Sequence, residues 1–233
     1  MSDWAAQSGS GVRFEWGASG AARLAPQVAC LVVVDVLSFT TTVSVAVQMG
    51  MRIFPFRYGD ATAADYATKS CAELAVGRSA VTPHSPWSLS PAHLRRAPFT
   101  SRLVLPSLNG SAIAAAAPSG VPVVAACLRN ITAVGDWLTA HGYGTPKQPV
   151  AVIAAGETWP DGSLRPALED LLGAGTLISD LHSQGTGPLS AEAAAARACG
   201  ECTADVPHAI ATEEDACTVV PIRDSEGAFV PAR

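Results

Sequence analysis

Short apolar runs alternate with amphipathic or alanine-rich stretches along most of the chain. The clearest run, residues 28–34, is continuously apolar and rich in β-branched side chains, as expected of a strand that a parallel sheet buries on both faces. Similar runs predict further strands at residues 51–56, 102–105, 121–126, 150–154 and 217–221. The stretches between them predict helices at residues 40–50, 60–74, 110–117, 130–141, 168–181 and 191–199.

The order of these elements predicts an α/β fold with a mostly parallel sheet and helices on both faces. Because no linker or internal repeat interrupts the alternation, residues 1–233 are predicted to form a single domain. The alternative is a subdivision near residues 79–100, where the chain is rich in Pro, Ser and His and loses its periodicity. Long loops of this kind inside a compact domain are usually functional.

Composition narrows the range of partners. Hydrophobic residues make up 48% of the chain and charged residues 15%, which supplies a substantial core and argues against disorder. The net charge is −5 and the longest basic cluster is Arg95-Arg96, so neither nucleic acid nor an anionic membrane is an expected partner. The best apolar run, residues 28–37, contains Asp35 and is too short to cross a bilayer. The apolar excess favours a homodimer.

A cytoplasmic location is predicted from the N-terminus and the cysteines. The first residues lack the basic region and apolar core of a signal peptide. The six cysteines are scattered, as expected of reduced thiols. Cys199 and Cys202 form a C-x-x-C pattern, but it follows a predicted helix and no second pair accompanies it, so a zinc or redox site is a minor alternative.

Polar residues cluster just past four of the predicted strands. Asp35 directly follows the strand at residues 28–34, and similar clusters occur at residues 107–111, 127–130 and 156–158. In an open parallel sheet, ligands bind outside the carboxyl ends of the strands. We therefore expect these four segments to converge on one site.

Three helices are predicted to begin close to these strand ends. Free backbone N–H groups and the helix dipole favour anions at such positions. Small hydroxyl and amide side chains or glycine stand there, namely Thr40, Thr41, Thr42, Asn109, Gly110, Ser111 and Asn130. Together they predict a cradle for phosphate or sulfonate, and ordinary N-capping by the same residue types is the alternative.

The acids Asp35, Glu157, Glu169 and Asp170 are candidate ligands for a hard cation. Mg²⁺ keeps several waters, so one or two carboxylates and a substrate phosphate suffice to hold it. Glu169 and Asp170 are expected to lie off the apolar stripe of their helix, where stabilisation of the dipole at an exposed N-terminus is the alternative. For Asp35 the alternative is a buried acid that bonds neighbouring amides.

Several well-known catalytic motifs are missing from the sequence. It contains no G-x-x-x-x-G-K-[ST], G-x-G-x-x-G or G-x-S-x-G pattern, which argues against a P-loop, a dinucleotide fingerprint and a nucleophile elbow. The spacing from Cys217 to Arg223 matches the C-x5-R pattern of cysteine-dependent phosphatases. The intervening residues are mostly β-branched and apolar rather than glycines, so they are predicted to form a strand instead.

An ordered set of segments resembles the 2-phosphosulfolactate phosphatases, Mg²⁺-dependent enzymes of coenzyme M biosynthesis. The segments are VVVDVLSFTTTVSVAVQMG, LPSLNGSAIAAA, ACLRNITAVGDWL, VIAAGE and LEDLLGAGTLISDL. With the C-terminal TADVPHAIATEEDACTVVPI they extend the resemblance over residues 28–221. The resemblance implies a Mg²⁺-dependent phosphatase that hydrolyses a small phosphorylated hydroxy or sulfo acid.

The resemblance also implies roles for individual residues. Catalysis and metal binding fall to Asp35, Glu169 and Asp170. Substrate binding falls to the positions that match the family's other motifs, namely Thr40, Thr41, Thr42, Asn109, Gly110, Ser111, Asn130, Gly156 and Arg78.

The chain departs from the family's pattern at three polar positions. Ser38 stands where the family has Arg, Gly77 where it has Glu, and Leu89 where it has Asn. Ser cannot replace the bidentate contact of Arg with phosphate or sulfonate, and Arg78 or Arg129 is the candidate substitute. Two further functions stay open: a non-catalytic anion-binding protein on the same scaffold, and a phosphatase of a different substrate.

Overall fold

A computed structural model describes residues 4–57, 62–200 and 213–233. Its main sheet is mostly parallel and carries helices on both faces, which confirms the predicted α/β class. In order across the sheet, the nine strands are β1 (Val12–Trp16), β7 (Val150–Ala154), β2 (Cys30–Val34), β6 (Val123–Ala126), β10 (Pro221–Arg223), β11 (Phe229–Pro231), β3 (Arg52–Arg57), β5 (Arg102–Ser107) and β4 (Glu73–Leu74). A separate hairpin consists of β8 (Glu157–Thr158) and β9 (Leu164–Arg165).

The main sheet contains two groups of parallel strands, which the hairpin of β10 and β11 joins. One group is β1, β7, β2 and β6, and the other is β3, β5 and β4. The hairpin pairs antiparallel with β6 through Ile222 and Val124, and antiparallel with β3 through Phe229 and Ile53. These reversals make the two groups run in opposite directions across the sheet. The expectation that all strand ends point the same way is therefore wrong.

Strand β2 shows how the sheet is buried on both sides. Leu31 and Val33 face a cluster with helices α1 (Gly17–Leu24), α2 (Phe39–Gln48), α4 (Pro91–Leu94) and α5 (Gly110–Ala116). Val32 and Val34 face the opposite cluster with helices α6 (Ile131–Ala140), α7 (Leu168–Ser183) and α8 (Ala191–Cys199). Successive side chains of a strand point to opposite faces, so an entirely apolar strand fits between two helical layers.

Helix α2 lies at the centre of the fold. All its residues from Phe39 to Val47 are buried, and it packs on β3, β6, β10 and β11. Helix α5 packs on β2, β3 and β5. Strands of both groups therefore contact the same two helices, and this packing brings the ends of β2 and β5 together.

Most of the predicted elements are confirmed within a few residues of their predicted ends. The predicted helix 60–74 is instead helix α3 (Ala63–Lys69) followed by β4. Asp60, a residue type that favours the N-cap position, begins the predicted helix but lies outside the described residues. The predicted strand 217–221 is displaced toward β10. Strand β1, helix α1, strand β11 and the hairpin of β8 and β9 were not predicted. No helix in the described ranges is both long enough and apolar enough to cross a membrane.

The segment 79–100 is mostly loop, interrupted by a 3-10 turn at Arg78–Ala80 and by α4. Strands β4 and β5, which lie on either side of this segment, pair with each other. The single domain over residues 1–233 stays a prediction.

Candidate active site

A cavity of about 390 Å³ lies where β2 and β5 end. Segments from five parts of the chain line it: Asp35, Leu37 and Ser38; Ala75, Val76, Gly77 and Arg78; Leu89; Pro106, Ser107, Leu108 and Asn109; and Glu157 and Thr158. The convergence predicted for the segments after β2, β5 and β7 is therefore found. The fourth predicted segment, residues 127–130, does not line this cavity.

Asp35 is the buried acid of the cavity, with 6% of its surface exposed. Its Oδ1 accepts a hydrogen bond from the Phe39 N–H at 3.0 Å, and its Oδ2 accepts one from the Gly110 N–H at 2.9 Å. The carboxylate therefore joins the first turn of α2 to the first turn of α5. Both N–H groups belong to helix N-termini, where a negative charge is favoured.

Asp170 is a second buried acid, 3% exposed, in the first turn of α7. Its Oδ1 accepts from the Val36 N–H at 2.7 Å and its Oδ2 from the Gly156 N–H at 2.8 Å. It thus connects the segments that follow β2 and β7. The expectation that this acid stands off the buried stripe is wrong. Glu169 is half-buried and makes no hydrogen bond or ion pair within the described part of the chain.

The two buried carboxylates are electrostatically unfavourable as a pair. Burial raises the pKa of Asp35 above its ordinary value; the hydrogen bonds from Phe39 and Gly110 lower it, and the charge of Glu169 raises it further. Burial raises the pKa of Asp170 well above its ordinary value, and the neighbouring charge of Asp35 adds to the shift. Each acid therefore resists ionisation unless positive charge is brought close to it.

The three consecutive threonines are fully buried and bond to the backbone. Thr40 Oγ1 donates to the Asp35 carbonyl at 2.8 Å, Thr41 Oγ1 to the Val36 carbonyl at 2.8 Å, and Thr42 Oγ1 to the Ser38 carbonyl at 2.7 Å. These hydroxyls fix the turn between β2 and α2, in which the Leu37–Ser38 peptide bond is cis. None of the three threonines lines the cavity.

Two more residues predicted to bind substrate, Gly110 and Gly156, have backbone N–H groups that bond to the two buried acids instead. The N–H of Gly110 bonds to Asp35, and that of Gly156 bonds to Asp170. A Cβ at position 156 would lie 2.8 Å from Leu164 Cδ1. The backbone φ of Gly156 is +68°, a value that favours glycine. Ser111 is also buried, and its Oγ donates to the Leu105 carbonyl at 2.7 Å.

Asn130 lies away from the cavity. Its Oδ1 accepts from the Cys127 N–H at 2.9 Å, and its Nδ2 donates to the Ala125 carbonyl at 3.2 Å and the Val219 carbonyl at 3.3 Å. The side chain closes the turn before α6 and ties it to the segment before β10. Its side chain therefore neither reaches the cavity nor caps α6, because it bonds to the Cys127 N–H of the preceding 3-10 turn instead of to an N–H of the helix.

Asn109 reaches the cavity, as predicted. Its Oδ1 accepts a hydrogen bond from Thr158 Oγ1 at 2.9 Å, and its Nδ2 makes no hydrogen bond within the described residues. Ser107 also lines the cavity, and its Oγ accepts from the Ser111 N–H at 3.0 Å. These two side chains can donate to the oxygens of a bound anion.

The guanidinium of Arg78 lies next to Ser38, the residue that stands where the family has Arg. Its Nη2 donates to Ser38 Oγ at 2.6 Å and its Nε donates to the Leu89 carbonyl at 3.2 Å. It makes no ion pair in the part of the chain that the structure describes. Arg129, the other candidate cation, is 1% exposed, pairs with Glu213 and bonds to Gln48, and does not line the cavity. Of the two, only Arg78 is available to a ligand.

A divalent cation fits the chemistry of this acidic group. No set of three or more His, Cys, Asp and Glu side chains with metal-binding geometry occurs among the described residues. Mg²⁺ does not require one, because waters and substrate oxygens complete its octahedron. Each oxygen of Asp35 accepts one backbone N–H bond and keeps a further lone pair, and burial raises the pKa values of Asp35 and Asp170.

The polar residues of the hairpin of β8 and β9 reach the cavity, as predicted for the cluster at residues 156–158. Glu157 and Thr158 line the cavity, and Glu157 forms an ion pair with Arg165 across the hairpin. The hairpin that carries them was not predicted.

These features describe a small cavity lined by a buried acid, Asp35, and by the Arg78 guanidinium, which has no acidic partner among the described residues. The model of the 2-phosphosulpholactate phosphatase family matches residues 21–219 of the chain. The chain therefore belongs to this family, which is a family of phosphoric monoester hydrolases. A comparison with curated proteins finds no match.

Proposed function

We propose that the cavity beside Asp35 hydrolyses a small phosphorylated acid in a Mg²⁺-dependent reaction. One observation carries the proposal: a buried carboxylate, Asp35, and a guanidinium without an acidic partner among the described residues, Arg78, line the same cavity. A phosphate monoester dianion needs cationic and hydrogen-bonding partners on its oxygens, and a carboxylate alone would repel it.

Asp35 would hold the metal, together with Glu169 and/or Asp170. When bound, Mg²⁺ supplies positive charge to the phosphoryl oxygens and acidifies a water molecule. The Phe39 and Gly110 N–H groups fix the Asp35 carboxylate in one orientation. Asp170 keeps the segments after β2 and β7 at a constant separation, since it bonds to both.

Substrate oxygens would be held by Arg78, Asn109 and Ser107. In the reaction, water adds to phosphorus while the P–O bond to the alcohol breaks. The products are inorganic phosphate and the free alcohol, and a proton of the water ends on the leaving oxygen. Thr40, Thr41, Thr42, Ser111, Gly110, Gly156 and Asn130 would support the site through the backbone contacts described above rather than by contact with substrate.

The test is release of inorganic phosphate from a panel of small phosphoesters, with and without Mg²⁺. We expect release that stops when the metal is chelated and falls at least about 100-fold in Asp35→Asn. Glu192→Gln, a change on α8 outside the cavity, is the matched control and should retain activity. Full activity in Asp35→Asn would contradict the mechanism.

A second candidate is an anion-binding protein without catalysis. It is favoured because most of the predicted donor groups already bond to other groups of the protein. In addition, Ser38, Gly77 and Leu89 stand where the family has polar side chains that could bind an anion or a metal. A phosphoester that raises the melting temperature and stays intact through long incubation with Mg²⁺ would support this candidate. A homodimer and a cytoplasmic location stay predictions from the sequence.

A further inference from the structure

The cavity has an extensive apolar side. Six of its lining residues carry no polar side-chain atom, namely Leu37, Ala75, Val76, Leu89, Pro106 and Leu108. We call these six residues the apolar wall. It includes Leu108, of whose surface 61% is exposed.

Positive charge is scarce at this cavity. Arg78 is the only Lys or Arg among its lining residues in the described part of the chain. The stretches outside that part, residues 1–3, 58–61 and 201–212, contain no Lys or Arg in their sequence. Arg165 is adjacent to the cavity through the hairpin, but it is paired with Glu157. The site thus offers one unpaired guanidinium besides any bound metal.

2-Phosphosulfolactate has more anionic groups than the cavity has cationic partners. The molecule carries a phosphate, a carboxylate and a sulfonate, and the proposed metal site accounts for the phosphate. Arg78 can pair with one further anion. The third anion would have no cationic partner among the lining residues, and an anion next to apolar groups binds less favourably than an alkyl group does.

We infer that the substrate is the phosphate monoester of a 2-hydroxy carboxylic acid whose remaining substituent is an uncharged alkyl group instead of a sulfomethyl group. This inference rests on the proposed function. The carboxylate pairs with the Arg78 guanidinium, which Ser38 and the Leu89 carbonyl hold in place. The alkyl group lies on the apolar wall, where burial of apolar surface favours binding.

The first experiment compares three probes that share a phosphate and a carboxylate: 2-phospholactate, the phosphate ester of 2-hydroxy-4-methylpentanoate, and 2-phosphosulfolactate. We measure kcat/KM for phosphate release with Mg²⁺ and, separately, the shift in melting temperature of the metal-free protein with each probe. The expected result is that each alkyl ester exceeds the sulfonated ester about tenfold or more in kcat/KM. An equal or higher value for the sulfonated ester would overturn the inference and leave the phosphatase proposal intact.

The melting-temperature measurement distinguishes failure of this inference from failure of the proposed phosphatase function. If no probe releases phosphate, the proposed function fails, and binding alone decides the inference. A larger shift with the alkyl esters then supports the preference of the cavity for an alkyl group over a sulfomethyl group, although as a ligand and not as a substrate, and an equal or smaller shift overturns that preference.

A variant pair tests the role of the apolar wall. Leu108→Arg adds a cation to the wall, while Phe99→Arg adds one at an equally exposed apolar position outside the cavity, since Phe99 is 62% exposed. We expect Leu108→Arg to raise kcat/KM for the sulfonated ester relative to 2-phospholactate about tenfold, as one charge-assisted contact does. Phe99→Arg should leave the ratio unchanged. An unchanged ratio in Leu108→Arg would overturn the inference.

Discussion

The carboxylate of Asp35 accepts a hydrogen bond from the backbone N–H of Gly110, although 75 positions separate the two residues in the chain. A Cβ at position 110 would lie 2.5 Å from Asp35 Oδ2 and 2.6 Å from Phe39 Cδ1. Both distances are shorter than any real Cβ contact. The acid and the start of α5 can therefore approach each other only because residue 110 is glycine.

Gly110→Ala is expected to lower the free energy of unfolding by about 2 kcal/mol, because it overpacks a buried contact. Phosphatase activity should fall as well, since the substitution displaces Asp35. Urea unfolding followed by circular dichroism measures the stability. Gly77→Ala is the control: a Cβ there meets nothing within 4 Å, so its stability should change by less than about 0.5 kcal/mol. Equal stability of the two variants would contradict the crowding seen at Gly110.

The raised pKa values of Asp35 and Asp170 predict a stability that depends on pH. The ordinary pKa of these acids is 3.8, and their pKa in the folded protein is higher. At a pH between these two pKa values, the folded protein keeps protons that the unfolded chain has lost. The free energy of unfolding of the metal-free protein should therefore fall as pH rises through this window. Under the proposed function, Mg²⁺ would bind the ionised carboxylates and offset their unfavourable charge.

We accordingly expect Mg²⁺ to raise the melting temperature more at about pH 8 than at about pH 5. Differential scanning calorimetry with and without the metal provides the measurement, and Asp35→Asn should show a smaller metal effect at both pH values. A metal effect that is the same at both pH values would argue against these acids as the ligands.

Arg78→Ala is expected to raise KM about 10-fold to 100-fold, the range for loss of a charge-assisted hydrogen bond to an anion. Arg78→Lys should restore only part of the loss, because an ammonium group cannot bond to Ser38 and to a planar anion in the geometry of a guanidinium. Steady-state kinetics with the best phosphoester gives both values. Arg96→Ala, at an exposed arginine outside the cavity, is the control and should leave KM unchanged.

Thr41→Val is expected to lower the free energy of unfolding by about 1–2 kcal/mol and to leave KM unchanged. Valine keeps the shape of threonine but leaves the buried Val36 carbonyl without its hydrogen bond. Thr68→Val, at an exposed hydroxyl that bonds to the Ala64 carbonyl, is the matched control and should change stability little. A large rise in KM without loss of stability would instead indicate that the Thr41 hydroxyl contacts substrate.

Local pattern was sufficient to find Asp35, because an acid directly after a wholly apolar strand must have a partner. It was not sufficient to assign the surrounding amides. That the N–H groups of Gly110 and Gly156 bond to the acids depends on how distant segments pack, and no spacing in the sequence reports it. The same holds for Arg78 and Ser38, which are 40 positions apart.

Helix α7 shows why the prediction that Asp170 lies off the buried face of its helix was wrong. Leu168 is 61% exposed, while Asp170 is buried. The helix approaches β2 at Gly173, where a Cβ would lie 2.9 Å from Val36 Cγ2, and approaches α8 at Gly175, where a Cβ would lie 2.1 Å from the Ala196 carbonyl oxygen. Contacts made through glycines are invisible to a hydrophobic pattern. Leu172, Leu177 and Leu181 are buried, but the buried face also includes Asp170 and the two glycines and leaves out Leu168.

The hairpin of β10 and β11 is synthesised after both groups of strands that it connects. While the ribosome is still making the segment between β7 and β10, the chain already holds Asp35 and Gly110, but not the strands that join their halves of the sheet. Co-translational folding can therefore complete either group of strands earlier than the site. The hairpin therefore adds the strand pairing between the two groups only after α2 and α5, which contact strands of both groups, have been made.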